Sequence, residues 1–177
     1  AVLDEQDLLN RPIHIISANL HSVMNTIYGY QAFGLEDYTT IEDMAMKISI
    51  NGKGNKGKEI LNYALKHGLI QVPDSSGTNI GVQIIDTGKM ETDFLLPGVK
   101  IPEGEKKKPV LVVMDYAFGE QAYECFDELL KPYEEVPLNI ISTSIMGKAG
   151  ILEGKKGDIM IPNAHIFEGT ADNYPFK

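Results

Sequence analysis

An unbroken apolar run, Val110-Leu111-Val112-Val113-Met114, is the clearest structural signal in the sequence. Such a run is typical of a strand that is buried on both faces of a parallel sheet. A helical pattern follows from Glu120 to about Tyr133, and the apolar segment Leu138–Ser144 predicts a second buried strand. A third, shorter strand is predicted at Asp158–Pro162. Strand, helix and strand at this spacing predict an α/β fold with a mixed or parallel sheet.

The chain ahead of this unit has a different pattern, which is mainly helical. Apolar residues recur at helical spacing from Ile13 to about Phe33, and Thr39 or Thr40 caps a predicted helix that ends near Ile48. A third helix is predicted over about Lys58–His67, with Gly68 as its stop. Val82–Ile85 is typical of a short strand.

A connector rich in proline, glycine and lysine, Lys89–Lys108, separates the two patterns. The predicted domain boundary therefore lies near residue 105. Residues 1–105 form a helical N-terminal lobe with a short strand, and residues 106–177 form part of an α/β domain. Because the chain starts without an initiator Met and ends without a clear stop, we interpret it as part of a longer protein.

Composition and charge exclude several classes of protein. The chain has 177 residues, of which 25 are acidic and 16 basic, and a net charge of −9 opposes non-specific binding of nucleic acid. No apolar run approaches the roughly 18 residues that a membrane span needs, so no membrane partner is expected. The single cysteine, Cys125, excludes an internal disulfide and a cysteine-only zinc site. We therefore expect a reducing, cytoplasmic setting, and the sequence predicts no metal and no other cofactor.

Two segments follow the predicted strands at the place where α/β proteins bind ligands. Ligands of open α/β sheets lie beyond the carboxyl ends of the strands. Asp115–Glu120 places Glu120 at a helix N-terminus, where a carboxylate stays ionised and can orient water or a sugar hydroxyl. Met146–Gly150 supplies two glycines, which let a ligand approach the backbone, and a lysine suited to an anion. The alternative is that both segments are ordinary turns.

The order of residues near the C-terminus resembles the nucleoside phosphorylase and nucleosidase superfamily. The resemblance rests on Ser144-Ile145-Met146-Gly147-Lys148-Ala149-Gly150-Ile151-Leu152, followed by Gly157-Asp158-Ile159-Met160-Ile161-Pro162. The Gly-Lys turn and the later Glu168-Gly169-Thr170-Ala171-Asp172-Asn173-Tyr174 are most similar to the AMP nucleosidase branch. Val112–Leu129 resembles the opening strand and helix of the superfamily, so the resemblance covers about residues 109–176.

This resemblance implies a nucleoside-phosphorylase-like fold and cleavage of the N-glycosidic bond of a purine nucleoside or nucleotide. Glu120 matches the carboxylate that positions the attacking water, and this match favours hydrolysis over phosphorolysis. The ligand-binding residues that it implies are Gly147, Lys148, Ala149, Gly150 and Glu168, and the residues alone add His165 as a candidate contact. A homo-oligomer is implied as well, because members of the superfamily often complete their sites across subunits.

Two features of the sequence leave a second interpretation open. Ile151 stands where the turn of the superfamily has its second glycine, and no purine-protonating aspartate is found after residue 176. Either the remaining parts of the domain lie outside this chain, or the chain is a non-catalytic nucleotide-binding or regulatory domain that keeps the fold.

A separate candidate is Gly52–Glu59, which matches a phosphate-loop pattern except at Glu59, where the pattern has Ser or Thr. The alternatives for this segment are a basic loop that closes over a phosphate and a solvated connection.

Overall fold

A computed structural model describes residues 1–33, 40, 42–44, 46, 56–91, 107–150, 152–166, 169 and 173–175. Its main feature is a mixed five-stranded sheet with the strand order β2-β3-β4-β1-β5. The parallel part consists of β1 (Ile13–Ser17), β4 (Val110–Met114) and β5 (Ile140–Ile145). The antiparallel part consists of β2 (Leu69–Val72) and β3 (Val82–Asp86), with β3 against β4. The predicted α/β class with a mixed sheet is confirmed.

Helices cover both faces of the sheet. The helices are α1 (Val2–Glu5), α2 (Leu20–Phe33), α3 (Lys56–Lys66) and α4 (Gly119–Leu130), and Thr87–Lys89 forms a 3-10 turn. Helices α2 and α3 bury Met24, Tyr28, Ile60 and Ala64 in one core cluster. Helix α4 contributes Phe126 and Leu129 to a second cluster on the opposite face, together with Val2 and Leu3 of α1. No helix within the described ranges is long and apolar enough to cross a membrane.

Residues 13–17 are a strand, and the prediction of one helix from Ile13 to Phe33 is wrong in this part. The strand β1 lies in the sheet between β4 and β5, with Ile13 and Ile15 almost fully buried. Only two residues separate it from α2, so its apolar positions continue the helical spacing. A short buried strand cannot be distinguished from a helix by periodicity alone.

The compact units do not follow the predicted boundary near residue 105. Residues 1–147 form one unit and residues 148–177 another. Ile13 of β1 pairs with Val110 of β4 and with Ile140 of β5, so strands from both sides of residue 105 share one sheet. For this reason residues 1–105 are not a separate helical lobe.

The second unit, residues 148–177, contains a small two-stranded sheet. Strand β6 (Ala164–Ile166) pairs antiparallel with β7 (Asn173–Pro175). The strand predicted at residues 158–162 is not formed, and Ile159 and Ile161 are exposed. Asp158 instead closes a turn, because its Oδ2 accepts a hydrogen bond of 2.7 Å from the backbone N–H of Lys155.

Three other predicted features have different outcomes. Strand β5 forms, but it is an exposed edge strand and not a strand buried on both faces. Thr40 caps a helical turn as predicted, since its Oγ1 accepts a hydrogen bond from the backbone N–H of Asp43 at 3.1 Å. The predicted stop of the next helix at Gly68 is confirmed, because α3 ends at Lys66 and β2 begins at Leu69.

Candidate functional site

The carboxyl ends of the three parallel strands lie at one edge of the sheet. The backbone N–H of Ala18 donates to the carbonyl of Met114 at 2.9 Å, and that of Met146 donates to the carbonyl of Ser17 at 2.9 Å. These bonds hold the ends of β1, β4 and β5 side by side. Three turns begin there: residues 18–19, residues 115–118 and residues 146–147. We call this region the carboxyl edge; it is where ligands of α/β sheets bind.

Two of these turns contact each other through a glycine and a tyrosine. A Cβ atom on Gly147 would lie 3.7 Å from Cε1 of Tyr116, which is an ordinary van der Waals distance, so a side chain at this position would begin directly beside the ring. Tyr116 also lies beside Phe118, with ring centroids 6.2 Å apart and an angle of 36° between the planes. The exposed fractions are 38 % for Tyr116 and 77 % for Phe118. Open aromatic faces of this kind can stack against a planar ring such as a nucleobase.

Glu120 lies in the first turn of α4, directly after these aromatic residues. Its side chain is exposed to solvent. Phe118 occupies the N-cap and provides no side-chain hydrogen bond, so the backbone N–H groups of the first turn receive no side-chain cap. These groups and the helix dipole attract an anion to this position.

The third turn of the carboxyl edge contains residues that the sequence pattern does not predict. Ala18 and Asn19 connect β1 to α2, and Asn19 Oδ1 accepts hydrogen bonds from Ser22 N (2.9 Å) and Ser22 Oγ (3.1 Å). A single helix over residues 13–33 leaves no place for this turn. Asn19 was the available signal, since asparagine is a preferred N-cap residue.

A cavity of about 430 Å³ lies beneath α4 and adjoins the end of β4. Its apolar wall includes Val82, Val112 and Met114, and Cys125 lines the side formed by α4. At its rim, Gln121 Nε2 donates to the carbonyl of Thr78 at 3.0 Å. The volume is within the range of small-molecule sites.

The loop at the rim of this cavity is organised by Asp74. Its carboxylate accepts hydrogen bonds from the backbone N–H groups of Asn79 at 2.8 Å and Gly77 at 2.9 Å, and from Ser76 Oγ at 3.0 Å. The bond from Asn79, followed by that from Ser76, lowers the pKa of Asp74 below its ordinary value. The carboxylate therefore holds the loop in place and is fully occupied by it.

The remaining predicted residues belong to the second unit or are not described by the structure. Lys148, Ala149 and Gly150 are exposed and begin the second unit, and His165 belongs to β6. Glu168 lies outside the described residues, as do positions 52–55 of the Gly52–Glu59 segment, whose last residues begin α3. The structure thus brings Gly147 together with the turn that leads to Glu120. Among the described residues, no three His, Cys, Asp or Glu side chains form a group that could hold a metal ion.

Comparison with known proteins identifies a family whose function is unknown. The model of DUF6909, a family of unknown function, matches residues 48–177. No curated protein and no solved structure matches the chain.

Proposed function

The chain belongs to the DUF6909 family, whose function is unknown, and we propose that it binds a purine nucleoside or nucleotide at the carboxyl edge and hydrolyses the N-glycosidic bond. The observation that carries the proposal is the contact between the Gly147 turn and Tyr116. The segment with the strongest resemblance to the nucleosidases is thereby adjacent to an exposed aromatic pair. A purine stacked on one aromatic side chain gains about 1–3 kcal/mol.

The chemistry requires an oriented water molecule and a site for the departing base. Cleavage of an N-glycosidic bond passes through an oxocarbenium-like state, as in glycoside hydrolysis. Water attacks the anomeric carbon and loses a proton, the bond to the base breaks with its electron pair going to the base, and the base takes up a proton from solvent. In our proposal Glu120 orients the water and accepts its proton. The cavity beneath α4 provides additional room beside the same turn.

The resemblance, rather than the geometry, supports the roles of the other residues. Lys148 directly follows Gly147 in the chain and would bind the phosphate of a nucleotide. Ala149 and Gly150 would line the base and ribose through their backbone groups. A nucleotide with a 5′-phosphate is therefore the preferred form of the substrate, and AMP is the first to test.

The test is to measure release of free base. The protein is incubated with AMP, adenosine, inosine and methylthioadenosine, with and without inorganic phosphate, and the products are separated by chromatography. Hydrolysis predicts free base and free sugar in the absence of phosphate. No free base from any of the four compounds would contradict the enzymatic part of the proposal.

Replacement of Glu120 tests the role of its carboxylate. Glu120→Gln keeps the shape of the side chain but removes the base, so turnover should fall by about 100-fold or more while the affinity for nucleotide changes little. Asp127→Asn is the matched control, because Asp127 is an exposed carboxylate in the same helix and pairs with Lys131 at 3.1 Å. Equal turnover in Glu120→Gln and Asp127→Asn would remove Glu120 from the mechanism.

A second candidate is a nucleotide-binding domain without catalysis. It is favoured by the exposed position of Glu120, since a solvated carboxylate is a weaker catalyst than one in a dry site. It predicts that AMP raises the melting temperature of the protein while no base is released. The chromatographic assay and the thermal shift together separate the two candidates.

A further inference from the structure

Strand β5 exposes one edge of the sheet. It is the last strand in the order β2-β3-β4-β1-β5, and among the described residues no strand pairs with its outer side. The segment Ile140–Ile145 contains no charged residue and no proline, which are the usual means of blocking an edge. Ile141 and Ile145 are 56 % and 72 % exposed. An edge with these properties is suited to pairing with another strand.

The backbone groups available for such pairing belong to alternate residues. Met146 N–H donates to the carbonyl of Ser17, which is opposite Ile145, so Met146 turns its backbone toward β1. Because neighbouring residues of a strand turn their N–H and C=O groups to opposite sides, Ser142 and Ser144 also bond toward β1. Thr143 and Ile145 therefore turn their N–H and C=O groups outward. Ile141 has no partner in β1, because Ile13 pairs with Ile140 and His14 pairs with Ser142.

Side chains alternate between the two faces in the same way. Ser142 lies on the face that carries His14, since its Oγ is 2.7 Å from His14 Nδ1. Thr143 is opposite Ile15 and Ile145 is opposite Ser17, so both lie on the other face, where α4 packs.

The sequence of this edge reads the same in both directions: Ile141-Ser142-Thr143-Ser144-Ile145. We propose that β5 pairs antiparallel with β5 of a second copy of this chain, about a two-fold axis at Thr143. In this register Ile141 lies opposite Ile145 of the second copy, Ser142 lies opposite Ser144, and Thr143 lies opposite itself. Apolar side chains thus meet apolar side chains and hydroxyls meet hydroxyls, and Ser142 and Ser144 lie on the same face of the sheet.

A second copy fits this edge because a two-fold interface must be complementary to itself. Two uncharged strands meet without repulsion, although the chain as a whole carries a net charge of −9. A partner with a different sequence would not require the palindrome. The inference is independent of the proposed function, since it uses neither Glu120 nor Gly147.

Helix α4 provides further apolar surface beside this strand. Gln121, Cys125 and Glu128 line the cavity toward β2 and β3. At about 100° per residue, Tyr123 and Leu130 fall on the opposite flank of the helix from these residues, and they are 73 % and 58 % exposed. Across the two-fold axis these side chains would approach their counterparts and enlarge the interface beyond the paired strands.

Charge reversal at Thr143 is the first test. Light scattering on the wild-type chain should give twice its mass of 19.5 kDa. Thr143→Lys and Thr143→Glu each place like charges directly opposite across the axis, so each alone should be monomeric. A mixture of the two variants should recover the dimer. A monomeric wild-type chain, or a dimer that Thr143→Lys leaves intact, would overturn the proposal.

Disulfide trapping tests the register. In a Cys125→Ser background, the double variant Ser142→Cys/Ser144→Cys places cysteines opposite each other at a Cα separation of about 4.5 Å, which a disulfide can bridge. Each single variant has one introduced cysteine in each copy. These two residues lie diagonally across the interface, with Cα atoms about 7–8 Å apart, which is too far for a disulfide. The double variant should therefore form a covalent dimer on oxidation and the single variants should not. Equal crosslinking in all three would exclude this register.

Discussion

Gly147 and Tyr116 lie side by side at the carboxyl edge. The sequence was sufficient to predict a glycine turn after a strand, because glycines there are typical of ligand sites. It could not predict that Tyr116 lies against this glycine, since the two residues are in different turns and meet only when β4 and β5 lie on either side of β1. Local patterns therefore identify candidate residues, but the sheet order decides which of them are neighbours.

Ionisation of the Tyr63 phenol is expected to lower the stability of the fold at alkaline pH. Its hydroxyl donates to Glu91 Oε2 at 3.0 Å, and burial, followed by this carboxylate, raises the pKa of Tyr63 from 10.0 to about 12. Since the folded state favours the protonated phenol, the stabilisation is complete below pH 10 and is lost as the pH rises toward 12. Tyr63→Phe should reduce the fall in the free energy of unfolding over this range, measured by urea denaturation.

Tyr63→Phe should reduce the pH dependence of the free energy of unfolding but should not abolish it. Burial also raises the pKa of Tyr28, whose hydroxyl donates to the carbonyl of His67 at 3.2 Å. Tyr123→Phe is the matched control, because Tyr123 is 73 % exposed. If wild type and Tyr63→Phe lost stability identically between pH 10 and 12, Tyr63 would have no part in the alkaline transition.

The sequence predicts helices and strands well where an apolar run, a helical pattern or a terminal glycine gives a clear local signal. Strand β4 and helix α4 were recognised, as was the end of α3 at Gly68. Strand β1 was missed because its two partners, β4 and β5, are distant in sequence, and because its apolar positions run into those of α2. The buried character predicted for β5 was wrong for a related reason: an apolar run does not reveal that a strand lies at the edge.

Alanine substitutions at Gly68 and Gly57 should have opposite effects on the free energy of unfolding. Gly68 has a φ of +100°, and a Cβ there would lie 2.5 Å from the backbone carbonyl oxygen of Asp86, so Gly68→Ala should lower the free energy of unfolding by about 2 kcal/mol. Gly57 lies in α3 with nothing within 4 Å of an added Cβ, so Gly57→Ala should raise it by about 0.5 kcal/mol. Chemical denaturation measures both. Equal effects of the two substitutions would refute the assigned geometry.

Arg11 links distant parts of the first unit, and two of its contacts cross the predicted boundary near residue 105. Arg11 Nη1 lies 2.6 Å from Asp86 Oδ1, with exposed side-chain fractions of 17 % and 6 %. The same guanidinium donates to the carbonyls of Lys108 at 2.6 Å and Pro109 at 3.2 Å. Composition could indicate the connector, but it could not reveal that the segments on its two sides share a sheet.

Removal of Arg11 should therefore destabilise the whole unit. Arg11→Met leaves the carboxylate of Asp86 buried without its main counter-charge, so the free energy of unfolding should fall by about 3 kcal/mol or more. Lys131→Met removes a cation that pairs with Asp127 and Glu128 on the surface, and it should have little effect because such pairs are solvated. Equal losses in the two variants, measured by urea denaturation, would show that Arg11 has no special role.

Binding of AMP to the carboxyl edge is most directly tested by titration calorimetry on wild type and two leucine variants. Gly147→Leu fills the space beside Tyr116, whereas Asn62→Leu adds the same side chain at an exposed position of α3. We predict that wild type and Asn62→Leu bind AMP alike and that Gly147→Leu binds at least about tenfold more weakly, a loss of about 1.4 kcal/mol. Undetectable binding to wild type, or equal affinity in Gly147→Leu, would contradict a nucleotide site at this edge.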